Sequence, residues 1–492
     1  MKTLKYLIIL ATSVSVISSC SKEFIEDVGP VDGSVSDIVI FDSKIGVDNA
    51  LTGIYGLFQS YIPSSGRQNM YGLKTIQFNF DMRGSDLIAD PSNWWLYENN
   101  WADNAYGRIA TSGRTEQIWK IFYKAINNAN PIIIKTAVIP ESDAVKNQLI
   151  GEAKALRAYS YFNLARIYQF TYSKDINGPG IPIQTELTSS EVTGLPRASM
   201  KEVYDLIVSD LEFAVANLTA DRVDKYRINK NVAQMLLAEV YQEMAMADNS
   251  LWQKAVDNAK AARTGFPLME GSSYASGFNS AANGEWMWAL QFNASQSLSY
   301  ASFFGYIDPT PANTRYKCIY VNEDFVNLFS NTDARNLFPA ATGQSSTTPW
   351  KKWRTAKFID NASFSGDQVM MRSAESYLIE AEGLAQMNQL EPAKDALYVL
   401  QLKRDPAAVR STAANKDQLI DEILVERRKE LYGEIGVEYF DLKRYQRPLA
   451  RTGNHWSSVI NVPANDNRWR WQIPQAEMDA NTSLEASDQN PL

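Results

Sequence analysis

The chain has 492 residues, 45% of them hydrophobic and 11% aromatic, with 21% charged and a net charge of −8. That length and apolar content support one large or two to three ordinary domains with a substantial core, and exclude long disorder. The acidic balance argues against a nucleic-acid partner, which needs a basic face.

The N-terminus reads as a targeting segment. Lys2 and Lys5 precede an apolar core from Leu7 to Val16, too short to span a bilayer as a mature helix. It ends in Ile17-Ser18-Ser19-Cys20, small residues before a Cys as in a bacterial lipobox. Residues 1–19 are thus predicted to be a lipoprotein signal peptide, with Cys20 as the lipidated first residue; the alternative is an ordinary signal peptide in which Cys20 is incidental. Cys318 alone remains, so no disulfide is expected and Cys318 reads as a buried small hydrophobe.

A first amphipathic helix is predicted from Asp42 to Phe58, with Gly53 and Gly56 weakening its middle. A polar, aromatic stretch without period follows from Tyr61 to Gly113. Helix resumes from Thr115 to Val138, where Pro131 is expected to kink or split it. The segment Gln148 to Phe170 is apolar nearly all round, which marks a helix buried among other helices. After a Gly/Pro-rich loop, Ser199 caps a helix to Leu218, Asn229 or Asn231 opens the next, and a third runs from Trp252 to Ala262. The phrase Leu164-Ala165-Arg166-Ile167-Tyr168 returns as Leu237-Ala238-Glu239-Val240-Tyr241, 73 residues on, close to two units of the roughly 34-residue tetratricopeptide (TPR) period.

Residues 266–366 break this rhythm with Ser, Asn and aromatics. The alternation of Trp286, Trp288, Leu290 and Phe292 predicts a short strand, and the whole reads as an irregular subdomain laid on the scaffold. Helices are predicted again at Gln368 to Met387, Pro392 to Lys403 and Asp417 to Leu431, with an irregular tail from Trp469. The organisation expected is a single domain over 20–492. Its helical scaffold lies at about 115–265 and 368–446, and its loop-rich portions at about 59–114 and 266–366.

Several stretches in order resemble the RagB/SusD family of nutrient-binding outer-membrane lipoproteins. They are EAKALRA at Glu152–Ala158, MRSAESYLIEAE at Met371–Glu382, ILVERRKEL at Ile423–Leu431 and FDLKR at Phe440–Arg444. The closing Ile473-Pro474 and Gln489-Asn490-Pro491 also fit. The chain departs at Glu434-Ile435-Gly436-Val437-Glu438, where the family usually has Gly and Arg, which alters a local turn. The resemblance implies an all-α, TPR-like (SusD-like) helical-repeat scaffold with long irregular loop insertions and a few short strands. It also implies a lipid-anchored seat on the outer face of the outer membrane, above a SusC-like TonB-dependent barrel transporter, and an oligosaccharide ligand.

Chemistry is limited by the single histidine, His455, which rules out a His-based triad or multi-His metal site. No GxxxxGK[ST] loop or GxSxG elbow is present. Glu426 and Glu430 share a helical face but read as an ion-paired structural pair among Arg427, Arg428 and Lys429. His455, between Asn454 and Trp456, reads as a surface or packing residue.

Binding is better supported than catalysis. A sugar needs flat aromatics for its C–H face and Asp, Asn or Arg for its hydroxyl edge. Residues 79–106 hold both: Trp94, Trp95, Tyr97, Trp101 and Tyr106 are platform candidates, and Asp81, Arg83, Asp86, Asn99 and Asn100 edge candidates. The alternative is that the tryptophans pack the loop onto the scaffold and Arg83 pairs with Asp81 or Asp86. Tyr300, Phe303, Phe304, Tyr306, Trp350 and Trp353 are candidates to complete the site, while Trp286 and Trp288 read as core. Lys351, Lys352 and Arg354 either favour an acidic glycan or form a solvated edge. No cofactor is expected, though the Asp81, Asp86 and Asp90 cluster leaves Ca²⁺ open. The predicted function is non-catalytic glycan capture for a TonB-dependent transporter; a peptide-binding relative and a glycoside hydrolase on an α-helical scaffold are the alternatives.

Overall fold

The computed structural model describes residues 40–60, 68–101, 107–187, 194–297, 301–310, 318–360, 363–456 and 460–492. The leader with Cys20, and Tyr106 and Tyr300, lie outside them.

Helix α1 (Lys44–Leu57) starts where the Ser43 hydroxyl accepts the Gly46 N–H, and buries Val47, Leu51, Ile54 and Tyr55. Gly53 and Gly56 lie on its open side and do not interrupt it. Helix α2 (Gly72–Arg83) arises inside the stretch that carries no periodicity. All twelve of its residues are buried, so it has no polar face to write into the sequence. Phe80 enters the main helical core, whereas Phe78 and Met82 enter a second, aromatic core. Strand β1 (Leu87–Ala89) and the single turn α3 (Leu96–Asn99) follow.

The scaffold begins with α4 (Gly113–Lys135), which runs on through Pro131 rather than splitting there. Its buried Ala125, Ile126, Ala129 and Ile132 hold the axis across the proline; their packing outweighs the roughly 3 kcal/mol that an interior proline costs. The apolar rib is α5 (Asp143–Tyr168), capped by Ser142 and buried over most of its length. Its buried arginine and asparagine are paired. Arg157 grips Asp210 at 2.7 Å and Asn130 at 2.9 Å, and Asn163 donates to the Tyr159 carbonyl at 2.8 Å. Strands β2 (Pro179–Pro182) and β3 (Arg197–Ser199) pair across the next loop. Ser199 then closes a capping box with Glu202 at the head of α6 (Met200–Asn217). Asn229 caps α7 (Lys230–Met244), and α8 (Trp252–Ala262) ends this half. Neighbouring helices from α4 to α8 pack in sequence order. The recurrent phrase is buried in both copies, on α5 and α7.

The chain then leaves the scaffold. Its excursion carries α9 (Gly271–Tyr274), β4 (Trp286–Leu290), α10 (Phe303–Ile307), β5 (Ile319–Val321) and α11 (Glu323–Val326). It returns through β6 (Gln368–Arg372), antiparallel to β4. Residues 368–372 are thus strand rather than the start of a helix. Both strands are buried throughout because the ribbon separates two cores: Met287, Trp288 and Leu290 belong to the helical core, Trp286 and Ala289 to the aromatic one.

Helix α12 (Ala374–Gln386) packs directly on α8, so the stack resumes where it stopped. Gly383 permits that approach, since a Cβ there would meet Val256 Cγ2 at 2.5 Å. Helices α13 (Leu390–Arg404) and α14 (Lys416–Leu431) complete a third core, and α15 (Val437–Arg444) packs on α2. A short ribbon, β7 (Leu449–Ala450) with β8 (Asn461–Val462), and α16 (Gln475–Ala480) lie in the tail. The fold is the predicted all-α helical repeat with long loop insertions and a few short strands.

A buried charge network fastens the excursion to α14. Glu430 accepts hydrogen bonds from Arg335, Arg372 and Arg404. Arg335 also pairs with Asp333 at 2.8 Å and with Glu426. Arg372 and Arg404 share Glu285 at 2.7 and 2.8 Å, and Glu434 takes Lys357 and Arg372. The Glu426/Glu430 pair is thereby occupied in bracing.

Candidate functional site

The loop after α2 is held in place by its own polar residues. Asn99 Nδ2 donates to the Met82 and Leu87 carbonyls at 2.9 and 3.0 Å, while its Oδ1 accepts the Ala89 N–H at 3.0 Å. Asp90 Oδ1 accepts both the backbone N–H and the hydroxyl of Ser92, at 3.0 and 2.9 Å, and Asn93 Oδ1 accepts the Trp95 N–H at 2.9 Å. These turns set the two adjacent tryptophans apart. Trp95 is fully buried, its ring edge-on to Phe78 at 5.1 Å, and Trp94 is half-buried.

Most of the candidates from this loop face inward. Trp101 lies under the Arg83 guanidinium, 3.9 Å from the ring centroid, and its indole N–H donates to the Arg83 carbonyl at 2.9 Å. Arg83 is fully buried and also donates to the Arg468 carbonyl at 3.2 Å. Asp81 accepts the Gly433 and Gly436 N–H groups at 2.9 and 3.0 Å. Burial pushes its carboxyl up to about 7, against Lys74 and those two amides. Asp86 is paired with Arg428. Tyr306, Phe303 and Phe304 fill the aromatic core. Trp95, Trp101, Asp81, Arg83, Asp86, Asn99 and Tyr306 are therefore buried in bracing and packing positions, not set on an open edge; the Asp81, Asp86 and Asn99 side chains and the Trp101 indole N–H are engaged within the fold, whereas the Trp95 indole and the Tyr306 hydroxyl are held by ring packing alone. Asp81, Asp86 and Asp90 each face a different partner, and among the described residues no three His, Cys, Asp or Glu side chains gather to hold a metal ion.

The remaining candidates form a rim. Strand β5 pairs antiparallel with β1, matching Ala89 to Ile319, and on its other edge Val321 bridges to Trp353. Lys351 pairs with Asp90 at 3.0 Å and Lys352 with Glu323 at 2.7 Å. Burial raises the Asp90 carboxyl, but the Ser92 amide and Lys351 outweigh it and hold the group below its ordinary value. Arg354 is buried and donates to the Ile307 and Asp308 carbonyls at 3.2 and 3.1 Å, so it is not part of a solvated edge. Asn93 Nδ2 donates to the Cys318 carbonyl at 3.3 Å; Cys318 is half-buried rather than a core residue.

Sequence reasoning passed over a third strand of this rim. Asn454 Nδ2 donates to the Pro349 carbonyl at 3.0 Å, its Oδ1 accepts the Glu323 N–H at 2.9 Å, and the Trp456 indole donates to the Ala89 carbonyl at 2.6 Å. His455 between them is buried. An Asn and a Trp flanking a buried His in an otherwise irregular tail were the available signal. These bonds gather segments 89–94, 349–353 and 454–456 at one place. They bring half-buried Trp94, Trp350, Trp353 and Trp456 there, with the Asp90–Lys351 pair between them; half-buried Tyr97 lies one turn further along the first segment. Half-buried aromatic side chains beside a paired carboxylate and ammonium suit a ring with an apolar face and a hydroxyl edge.

Two family models match the chain. One, described as "Starch-binding associating with outer membrane", covers residues 39–242, and one described as "SusD family" covers residues 336–492. A SusD-like protein of Formosa agariphila is 25% identical, over 92% of this chain and 93% of its own. Among solved structures, a SusD-like carbohydrate binding protein from Bacteroides vulgatus is 26% identical with a TM-score of 0.80, over 92% of this chain and 98% of that one. A SusD superfamily protein from Bacteroides thetaiotaomicron is 25% identical with a TM-score of 0.76, over 92% and 100%.

Proposed function

We propose, from the premise that this chain belongs to the SusD/RagB family of carbohydrate-binding proteins associated with the outer membrane, that it is a non-catalytic surface lipoprotein. It captures oligosaccharide or polysaccharide and delivers it to a SusC-like TonB-dependent transporter, anchored through lipid on Cys20. Among the described residues no helix is long and apolar enough to cross a membrane.

The observation that carries the reading is the rim of Trp94, Trp350, Trp353 and Trp456 around the Asp90–Lys351 pair. Its tryptophans are half-buried, so each is held by the fold while part of it stays accessible to a sugar face. The fixed ion pair offers an acceptor and a donor at the edge of the same patch.

The test uses the soluble chain starting after Cys20 against a panel of polysaccharides, followed by calorimetry and a reducing-end assay. A glycan that binds without new reducing ends is the expected result, and turnover overturns the non-catalytic reading. Replacing Trp94, Trp350 and Trp456 by Ala should weaken that glycan by about 1–2 kcal/mol per contacting ring, or roughly 5–30-fold each. Unchanged affinity in the folded triple variant places the ligand elsewhere.

A further inference from the structure

A cleft of about 620 Å³ opens between α1, the first turns of α5, the 218–229 connection and the segment after β4. It shares no residue with the aromatic rim. Its volume falls within the range of about 300–1,000 Å³ typical of small-molecule sites.

The cations lining it are already committed. Lys44 pairs with Asp48 at 3.3 Å, and Arg227 reaches Glu152 at 2.7 Å and Asp48 at 3.3 Å. Arg222 donates to the Arg227 carbonyl at 2.9 Å and to that of Met287. Asp221 and Asp224, by contrast, are exposed, and among the described residues neither has an ion-pair partner. Gln148 stands exposed on the opposite wall and brings an amide that both donates and accepts. Tyr226 supplies a flat face. Its ring is half-buried against the aromatic core and its hydroxyl donates to Asp367 at 3.2 Å, which fixes the ring's orientation.

Exposed carboxylates and an amide beside a fixed ring recognise hydroxyl donors, and because the acidic side chains of the lining (Asp48, Glu152, Asp221 and Asp224) outnumber its cations (Lys44, Arg222 and Arg227), they favour a chain without negative charge. An anionic sugar or a phosphate would meet Asp221 and Asp224, offset only by Arg222, whose guanidinium is turned onto the Arg227 and Met287 carbonyls. We infer that this cleft is a second carbohydrate-binding site, selective for neutral glycan chains, with Tyr226 as the stacking face and Asp221, Asp224 and Gln148 as hydroxyl partners. The inference rests on the glycan-binding function proposed above. It adds a place on the helical side of the molecule where the same or another chain is held, so that a polysaccharide engages two sites at once and gains avidity.

The soluble chain is presented with maltoheptaose, cellohexaose, mannohexaose, xylohexaose, galactan oligomers, inulin and oligogalacturonate, and hydrogen exchange is followed by peptide. A neutral ligand is expected to slow exchange in 219–229, and Asp221→Ala with Asp224→Ala to abolish that protection while weakening cleft binding at least tenfold. Those residues are exposed, so the variant folds. Gly56→Trp is the second variant: its side chain enters open space at the cleft wall, where a Cβ meets nothing within 4 Å, and should block the same protection. Protection confined to 90–100 and 349–356 overturns the second site and leaves the proposed function standing. Stronger protection of 219–229 by oligogalacturonate than by every neutral chain overturns the selectivity. Protection of neither region by any of the seven overturns both readings.

Discussion

Glu430 offers the sharpest test of how the excursion is held. It is fully buried on α14 and meets three guanidinium groups, Arg335 at 2.8 Å, Arg404 at 2.9 Å and Arg372. Burial alone would raise its pKa, but the three arginines outweigh that and hold the carboxyl well below the ordinary value. Glu430→Gln keeps the shape and removes the charge. Arg335 retains Asp333 and Glu426, and Arg372 retains Glu285 and Glu434, but Arg404 is left with Glu285 alone among carboxylates. Breaking a buried pair in this way costs about 3–5 kcal/mol. With an unfolding entropy of about 2.1 cal/mol/K per residue, a chain of 492 residues changes by about 1 kcal/mol per degree, so Tm should fall by about 3–5 °C. Scanning calorimetry reads this directly. Glu426→Gln is the control, because Glu426 meets one arginine and Gln401 rather than three arginines; its Tm should fall by about half as much or less. Because the folded pKa is depressed, the contribution of Glu430 is complete above the unfolded value of about 4.3 and is lost as pH falls through the folded one. The Glu430→Gln penalty should therefore shrink in acid. A Tm within 1 °C of the parent at pH 7, or equal shifts for the two variants, would refute the network as the clamp; the threshold is about a third of the smallest predicted shift.

Other outcomes follow from single sites. Burial and Arg451 push the His455 imidazole down to about 2, while the unfolded chain takes up its proton near pH 6.5. The resulting penalty is absent above pH 6.5 and grows by about 1.4 kcal/mol per pH unit below it; the stability of His455→Gln relative to the parent should rise at that slope between pH 6 and 4 in urea titrations, and a flat difference is the contrary result. Gly383→Val forces side-chain atoms into Val256 on α8 and should cost about 2–3 kcal/mol. Gly56→Ala, with open space before it, should stabilise α1 by about 0.5–1 kcal/mol; thermal melts of the two variants should move in opposite directions.

The scaffold was readable because its helices carry a face. Ser199 and Asn229 cap where short polar residues precede an apolar period, and the repeated phrase on α5 and α7 gives the unit, whereas α5 starts at Asp143 behind Ser142, ahead of the apolar stretch from Gln148 that marked it. Helix α2 was not readable for the opposite reason: GLKTIQFNFDMR is buried on every side, so polar and apolar residues carry no period. The segment Gln368–Arg372 lies between two cores and looks like the apolar start of the helix it precedes. For the site, residue type indicated an aromatic, Asn-rich loop but not which side each residue faces. Asn99 could be taken for a sugar-edge group, yet its three bonds all go to backbone groups of α2 and the loop that follows it. Trp94 and Trp95 differ by one position and by an entire environment. Trp456 joins the rim only through tertiary folding, from more than 350 residues along the chain.

The resumption of the stack at α12 on α8 fixes both ends of the 266–366 excursion to neighbouring helices. Once those ends are fixed, adding or removing residues between them changes only the closure entropy of a long loop, about 0.6 kcal/mol for each doubling of length. The contacts that must be kept are those of Glu285 with Arg404 on α13, of Arg335 and Lys357 with α14, and of Met287, Trp288 and Leu290 with the helical core. The helical stack is thus a socket of constant geometry, and the inserted lobe can be exchanged for one of different length and lining without the socket having to refold. Ligand preference can then drift in the exposed turns of the lobe, while its buried ribbon keeps it seated in the body that carries it.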